Sequence, residues 1–296
     1  MPAQITVMRT ASGLLTKRIA LNVDGKPVSD GSACRMQAGT AVTTSAPDAA
    51  TFAWKTDALS CAEAVVLGSI KNVVGGQTVD VVTANVLRQL DMAQRDGVIA
   101  RTRDHIEFPP GEPAWMLLDT DLKGAPLPVT SALAVAGGVF PALLAVAPGL
   151  KRAARVTRAS TSAGLFNSTT NERFDGLGGE HHYVLVKDGG DIGRATQVFH
   201  ARAWLHGLGW TMLGKVGQLL DRSLIDASVR YPERLCFEGP PEVIPPLAQD
   251  TALRACQAIE GEPIDTRVMI PDLTNSERQQ VEDAKAAMRR ALEPQA

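Results

Sequence analysis

The segment from Gly124 to Leu150 contains no charged residue, and this feature limits the possible folds more than any other. Its C-terminal part, residues 132–150, is almost wholly apolar and close to the length of a membrane-spanning helix. Pro141 and Pro148 interrupt it, and alanine dominates over leucine and isoleucine, which disfavours a span. We therefore expect residues 132–150 to form a broken helix buried in a protein core, and we expect no membrane association.

Composition sets broad limits on the class of protein. The chain has 296 residues, a formal net charge of −2 and 21% charged residues, which is ordinary for a globular protein of one large or two modest domains. Without a basic excess, any contact with nucleic acid must come from local basic patches. The four cysteines are scattered with no C-x-x-C pair, which disfavours a zinc knuckle or a disulfide scaffold and favours a cytoplasmic protein.

Apolar periodicity predicts strands interleaved with helices, and hence a mixed α/β or α+β fold. Predicted strands cover 4–9, 17–23, 114–118, 155–160, 181–187, 208–214, 218–226 and 234–238; predicted helices cover 57–70, 82–95 and 192–206; predicted loops cover 24–50 and 163–180. Prolines near residue 110 indicate a break. The predicted division is an N-terminal α/β subdomain over 1–110, a catalytic subdomain over 111–250, and a helical C-terminal tail or linker over 251–296.

Two aspartates end the apolar run at residues 114–118. Asp119 and Asp121 stand two positions apart, so on a strand both side chains point to the same face. Paired carboxylates repel each other unless a cation lies between them, and hard oxygen ligands suit Mg²⁺ or Mn²⁺. The spacing fits a divalent metal site and an ordinary surface turn about equally well.

A third carboxylate follows a similar apolar stretch. Asp226 comes directly after Leu224 and Ile225, and together with Asp119 and Asp121 it would provide enough ligands for two metal ions. Asp221 is its rival, and the odd spacing of the two predicts that they point to opposite faces of a strand.

Histidine and basic residues could bind phosphate. His181 and His182 open a predicted strand after a glycine-rich turn, and alternation allows only one of them to face a triphosphate. The densest basic stretch contains Lys151, Arg152, Arg155 and Arg158. Its members could follow a DNA backbone, or they could simply complement the C-terminal dipole of the preceding helix.

Taken in order, these motifs resemble the archaeo-eukaryotic primase superfamily, and more closely the primase-polymerases of bacterial and phage mobile elements. The resemblance rests on a hydrophobic strand with D-x-D, a serine-rich turn followed by histidine on a strand, and a hydrophobic-Asp motif. They stand here as Leu117–Asp121, Ser160–Gly164 with Gly179–Val184, and Leu224–Asp226, followed by the run Glu233–Pro241.

The resemblance implies an RRM-like catalytic sheet beside an N-terminal α/β subdomain, with the site in the cleft between them. It implies that Asp119, Asp121 and Asp226 hold Mg²⁺ or Mn²⁺. The implied nucleotide contacts are His181, Ser160 and Ser162, with charge added by Lys215 and Arg222. This chain departs from the family pattern in two respects. A loop of about 17 residues separates the serine turn from the histidine, and His182 stands where the family usually has an apolar residue.

The implied activity is template-dependent joining of NTPs or dNTPs on single-stranded DNA, with a replicative helicase as a further partner. Two other functions stay open from the sequence. One is a catalytically silent nucleic-acid-binding module of a replication complex, and the other is a metal-dependent nuclease that uses the same carboxylates.

Overall fold

The computed structural model describes residues 1–32, 34–174, 179–214 and 216–293. The strands are β1 (Gln4–Thr10), β2 (Arg18–Leu21), β3 (Pro27–Asp30), β4 (Ala38–Ser45), β5 (Glu63–Val66), β6 (Ser69–Ile70), β7 (Thr78–Val82), β8 (Val98–Ala100), β9 (Ile106–Glu107), β10 (Ala114–Thr120), β11 (Arg155–Ala159), β12 (Leu165–Asn167), β13 (Glu180–Val186), β14 (Gly209–Leu213), β15 (Leu219–Ser223), β16 (Leu235–Cys236), β17 (Glu242–Val243), β18 (Leu247–Gln249) and β19 (Gln257–Ile259). The helices are α1 (Ala49–Asp57), α2 (Ala84–Gln89), α3 (Leu127–Ala136), α4 (Val139–Val146), α5 (Ile192–Leu205), α6 (Thr266–Met269) and α7 (Asn275–Leu292). The fold is therefore mixed α+β, as the sequence predicts.

An N-terminal sheet has the strand order β16-β5-β1-β4-β7-β8. Its central strand β4 lies in a stretch predicted as loop, and that prediction is wrong. The serine, threonines and glycine of β4 suggest a loop, but the strand is paired on both sides, and the buried side chain of Thr43 lies 2.9 Å from that of Thr6. Tertiary pairing outweighs local composition here.

The helix predicted over 57–70 is also wrong. The chain leaves α1 at Asp57 and forms β5 and β6 instead. Val65 and Val66 are buried where β5 pairs with β1, a setting that favours β-branched side chains. The predicted helix over 82–95 is reduced to the short α2 and a 3₁₀ turn.

The central sheet carries the predicted D-x-D strand. Its order is β10-β13-β11-β19, and all its pairings are antiparallel. Trp115 and Tyr183 share one face and pack against Phe52 of α1, with ring centroids 4.5 and 4.7 Å from the Phe52 ring. His182 on the other face packs against Phe140 of α4. The sheet is therefore covered on both sides, by α1 on one face and by α4 on the other.

The uncharged segment forms α3 and α4, which meet at 92°. α4 buries Val139, Ala142, Leu143 and Val146, as expected, whereas α3 buries only Val129 and Leu133 of its own residues. The expectation of burial from residue 132 onward is thus wrong for the end of α3, where Val135 is 90% exposed. Among the described residues no single helix is long and apolar enough to cross a bilayer, but α3 and α4 together reach that length and composition.

The C-terminal part is more than the helical tail or linker expected from the sequence. β19 pairs with β11 at the edge of the central sheet, so this part contributes a strand to it. α7 begins with a capping box between Thr274 and Glu277 and packs against α5 and β14. Its apolar stripe, with Val281 buried, packs in a cluster with Trp204 and Leu273.

Candidate active site

Three strands bring charged residues to one level of the central sheet. Asp119 of β10 pairs with His181 of β13, and His181 pairs in turn with Arg158 of β11. Because paired residues project to the same face, all three side chains face the N-terminal sheet. His181 Nε2 lies 3.4 Å from Asp119 Oδ1.

The third predicted carboxylate is adjacent to the first. The backbone amide of Asp226 donates a hydrogen bond of 2.8 Å to the carbonyl oxygen of Asp119. The side chain of Asp226 accepts from the amide of Ser228 at 2.8 Å, which caps a 3₁₀ turn. Asp121 accepts from Arg222 of β15 at 3.0 Å, so the β14–β15 hairpin is tied to the end of β10.

The electrostatics of Asp119 reflect a crowded acidic site. Burial raises the pKa of its carboxyl most strongly, the nearby His181 opposes that rise, and the charges of Asp226, Asp121 and Glu238 raise it further. The net pKa is above the usual range for aspartic acid. A buried acid surrounded by other acids is destabilised in its charged form, and a bound cation would relieve this repulsion.

These three carboxylates offer the hard oxygen atoms that a divalent cation prefers. Among the described residues no group of three His, Cys, Asp or Glu side chains is already arranged as a ligand set. Two of the carboxylates are otherwise engaged, with Arg222 and with the amide of Ser228. Metal binding would therefore require Asp121 and Asp226 to exchange those partners.

Glu238 lies at the centre of the site, and no role was assigned to it from the sequence. His181 Nδ1 donates a hydrogen bond to its carboxylate, and the hydroxyl of Tyr183 donates another at 2.6 Å. On the other side, Arg158 Nε and an Arg254 terminal nitrogen lie 3.3 and 3.8 Å from Glu238 Oε2. We call Glu238 with these four partners the Glu238 cluster.

The Glu238 cluster is almost completely enclosed. Glu238 is 1% exposed, Arg254 3% and Arg158 6%. Within the described part of the chain, Glu238 Oε2 and the Nε atoms of both arginines lack a hydrogen bond of good geometry, so charge attraction holds this half of the cluster together. A carboxylate buried to this degree is stable only because cations surround it.

His181 and Glu238 stabilise each other's charged forms. Burial alone would lower the pKa of His181, but the charge and hydrogen bond of Glu238, together with Asp119, raise it to about 9. Burial alone would raise the pKa of Glu238, but His181 and then Arg158 and Tyr183 hold it well below its usual range. At neutral pH His181 is therefore an imidazolium placed between two carboxylates.

Arg158 was predicted to contact DNA, and the structure corrects this. Its guanidinium is buried, donates to Asp57 at 2.9 Å, and lies against Glu238. A side chain enclosed in this way cannot reach a phosphate backbone. The helix-end pattern of basic residues did not reveal this because burial depends on β11 lying inside the sheet.

The other members of the basic stretch lie away from Asp119. Arg155 pairs with Val184, three residues along β13 from His181, and its guanidinium lies 4.0 Å from the ring centroid of Phe140 on the other face of the sheet. Lys151 and Arg152 precede it and are exposed. Both side chains are accessible to ligands in solution, but they lie at the opposite end of β11 from the carboxylates.

The serine turn and the histidine are brought together despite the long loop. β11 ends at Ala159 opposite Glu180, and the amide of Ser160 donates to the carbonyl oxygen of Gly179 at 2.9 Å. The hydroxyls of Ser160 and Ser162 lie 3.1 Å apart. β11 and β13 therefore pair as neighbouring antiparallel strands, and the long connection between them contains β12.

A pocket of about 120 Å³ opens onto this level of the sheet. Its polar lining consists mainly of Lys17, Asp119, Ser160, Thr161, His181 and Arg234. Since a water molecule takes up roughly 30 Å³, the pocket has room for a group of phosphate size. Lys17 and Arg234, which were not singled out from the sequence, supply cations at its rim.

Three further predicted residues can be placed or set aside. His182 is fully buried on the opposite face and cannot face Asp119. Asp221, the rival of Asp226, accepts from Arg289 of α7 at 3.1 Å and from Thr211 at the same distance, so it belongs to the packing of α7. Lys215 lies outside the described residues.

The signal that could have identified Glu238 is its position in the run Leu235-Cys236-Phe237-Glu238. Glu238 follows a buried strand, but acidic residues are seldom buried unless they are paired, so this signal alone does not place the carboxylate inside the protein. Its partners come from distant strands and cannot be read from the same run. Comparisons of the chain with models of protein families, with curated proteins and with solved structures gave no match.

Proposed function

We propose that this protein is a template-dependent nucleotidyltransferase of the primase-polymerase type. The observation that carries the proposal is the hydrogen bond between the backbones of Asp119 and Asp226, which brings the hydrophobic-Asp motif to the D-x-D motif. His181 lies directly beside Asp119 on the same face. Asp119, Ser160 and His181 therefore line one pocket, and the third motif is joined to it through the backbone of Asp119, although the motifs are distant in sequence.

We further propose that the central sheet corresponds to the RRM-like catalytic sheet of that superfamily. Its antiparallel order β10-β13-β11-β19, with helices on one face and α1 on the other, supports this. The serine turn beside Gly179 supports it as well, because the loop that separates serine from histidine leaves the two motifs adjacent.

In the proposed reaction the 3′-hydroxyl oxygen of one nucleotide bonds to the α-phosphorus of the next, and the bond to pyrophosphate breaks. Asp119, Asp121 and Asp226 would hold Mg²⁺ or Mn²⁺. When bound, such ions neutralise the triphosphate and lower the pKa of the attacking hydroxyl. Arg222 would then be released from Asp121 and could pair with a phosphate oxygen.

His181 has a defined task in this scheme. Its Nδ1–H is fixed by Glu238, so the ring is oriented and its Nε2–H is directed towards Asp119 and the pocket. A charged imidazole at that position donates a hydrogen bond to a phosphate oxygen of the incoming nucleotide. Ser160 and Lys17 line the same pocket and add a hydroxyl and a cation.

Primer synthesis on single-stranded DNA tests the proposal. The purified protein is incubated with labelled NTPs or dNTPs and Mg²⁺ or Mn²⁺, beside the Asp119→Asn variant. We expect products longer than the substrate from the native protein and a loss of several orders of magnitude in the variant. Shortened DNA would identify a nuclease, and DNA binding with neither product would identify a silent module; either result would overturn the proposal.

A further inference from the structure

A second pocket lies along the edge of the central sheet and is larger than the one beside Asp119. It has a volume of about 390 Å³, within the range of ligand sites. Its polar and aromatic lining includes Arg103, Gln197, Arg230 and Tyr231, and Gly189 and Phe108 form part of its walls. None of these residues belongs to the proposed catalytic machinery.

The segment that lines this pocket begins at the catalytic carboxylates. β10 is the edge strand of the central sheet, and the chain after Asp226 turns through a 3₁₀ helix to Arg230 and Tyr231. The amide of Gly68 donates to the carbonyl oxygen of Pro232 at 3.0 Å and so attaches this segment to the N-terminal part of the protein. Val229 lines the catalytic pocket, and Arg230 lines the second pocket.

The second pocket adjoins the catalytic pocket at Val229 and Arg230, and its far wall at Gly189 lies a length from Asp119 that suits a short stretch of a polynucleotide strand. Gly189 lies against Ala114, the first residue of β10, where a Cβ atom would approach Ala114 to 2.9 Å. Asp119 is five residues further along that strand, or roughly 17 Å at 3.3 to 3.4 Å per residue. This corresponds to about five nucleotides at the 3.4 Å rise of a stacked strand.

The chemistry of the pocket suits unpaired bases. Arg103 and Arg230 both lie over the ring of Tyr231, with guanidinium carbons 5.1 and 4.3 Å from its centroid. The carbonyl oxygen of Ala227 accepts from Arg230 at 2.7 Å and holds that guanidinium in place. Stacked guanidinium and aromatic planes of this kind bind base faces, and their cations attract the backbone.

Arg103 is available for such a contact. Its side chain is 69% exposed, and its closest carboxylate, that of Glu233, is 3.9 Å from Nε, which is a weak ion pair in solvent. Gln197, which is also exposed, lines the same pocket. A duplex hides its base faces in the stack, so a platform of this type favours a single strand.

We propose that the surface formed by Arg103, Arg230 and Tyr231 binds the single-stranded DNA template upstream or downstream of the catalytic pocket. This proposal rests on the proposed function, since it names the strand that the catalytic site would copy. It differs from the sequence-based expectation, which assigned DNA binding to Lys151, Arg152, Arg155 and Arg158.

Equilibrium binding without nucleotides or metal ions tests this surface separately from catalysis. Fluorescein-labelled oligothymidylate is titrated with the native protein, Arg103→Ala, Tyr231→Leu and the matched control Arg278→Ala, whose arginine is exposed on α7. We expect Kd to rise at least about fivefold for the first two variants, the lower end of the effect of losing one stacked base. The slope of log Kd against log salt should fall by about 0.7 for Arg103→Ala if one phosphate contact is lost.

Two results would overturn the proposal that this surface binds DNA. One is native affinity in both Arg103→Ala and Tyr231→Leu, and the other is an equal loss in Arg278→Ala. Urea denaturation midpoints of Arg103→Ala and Tyr231→Leu, compared with that of the native protein, guard against a folding defect. If these variants bind normally while the native protein synthesises primers, the proposed DNA-binding surface is wrong and the catalytic proposal stands. If the variants lose affinity while the native protein synthesises no primers, the surface stands and the catalytic proposal is wrong.

Discussion

The backbone amide of Asp226 lies 2.8 Å from the carbonyl oxygen of Asp119 and donates a hydrogen bond to it. This bond links the end of β10 to the segment that follows β15. Because it involves only backbone atoms, replacement of either side chain leaves it in place. Each carboxylate can therefore be tested for chemistry with little change to the geometry that joins the two motifs.

Asp226→Asn is the sharpest test of the third carboxylate. Asparagine keeps the oxygen that accepts from the amide of Ser228, so the 3₁₀ turn is retained while the charge is lost. We expect primer extension to fall by at least about a hundredfold, as for the loss of a charge-stabilising group, and single-stranded DNA affinity to stay native.

The matched control is Asp221→Asn. Asp221 lies on β15, shortly before Asp226, but it pairs with Arg289 of α7. Its loss should therefore affect the packing of α7 and leave the rate of primer extension close to native. Initial rates of extension and Kd for DNA are measured on both variants. Equal extension rates in Asp226→Asn and Asp221→Asn would contradict a catalytic role for Asp226.

The Glu238 cluster predicts a ranking of stabilities. Glu238→Gln leaves Arg158 and Arg254 buried without their shared carboxylate, so the free energy of unfolding should fall by about 3–5 kcal/mol. Tyr183→Phe removes only one hydrogen bond to a charged group and should cost about 1.5–3 kcal/mol.

Urea denaturation of the two variants at neutral pH provides the measurement, with equal m-values as the check that both unfold in the same way. If Tyr183→Phe proved the more destabilising of the two, the carboxylate would not be the centre of the cluster. The effect of Glu238→Gln on nucleotide KM can be measured in parallel, because a loosely held His181 ring should weaken nucleotide binding.

The sequence predicts the local features of this site but not its interior. β10 with Asp119, β13 with His181, and the helix α5 were all expected, since each has a clear apolar pattern and a turn at its end. Alternation along β13 also required one of His181 and His182 to face away, and the structure shows that His182 does so.

What the sequence could not supply are pairings between distant strands. The burial of Arg158 depends on Glu238 and Asp57, which belong to different parts of the chain. The same limitation explains β4, whose threonines are favourable only because strands flank it on both sides. Local composition records a residue's own preference, whereas these positions are determined by partners that only the folded chain brings near.

The ion pair between Asp191 and Arg194 predicts acid sensitivity far from the active site. Burial would raise the pKa of Asp191, but hydrogen bonds from Arg194 and Thr266 and the charges of Arg194 and Arg267 lower it below the usual value for aspartic acid. A depressed native pKa stabilises the folded protein above the unfolded value, and this contribution is lost as pH falls through the native pKa.

Asp191→Asn should therefore be less stable than the native protein at neutral pH, and the difference should shrink below pH of about 4. Urea midpoints measured across that range, with Asp24→Asn on the exposed β2–β3 turn as the control, test it. A stability difference that does not change with pH would show that Asp191 acts through shape rather than charge.

Two apolar positions of the uncharged segment should differ strongly in their effect on the free energy of unfolding. Leu143 of α4 is fully buried in the main core, so Leu143→Ala should lower the free energy of unfolding by about 2–5 kcal/mol. Val135 of α3 is 90% exposed, so Val135→Ser should change it by no more than about 0.5 kcal/mol. Both variants are compared with the native protein by urea denaturation. A large loss of stability in Val135→Ser would mean that α3 is covered in solution, whereas a small loss in Leu143→Ala would contradict the packing of α4 in the core.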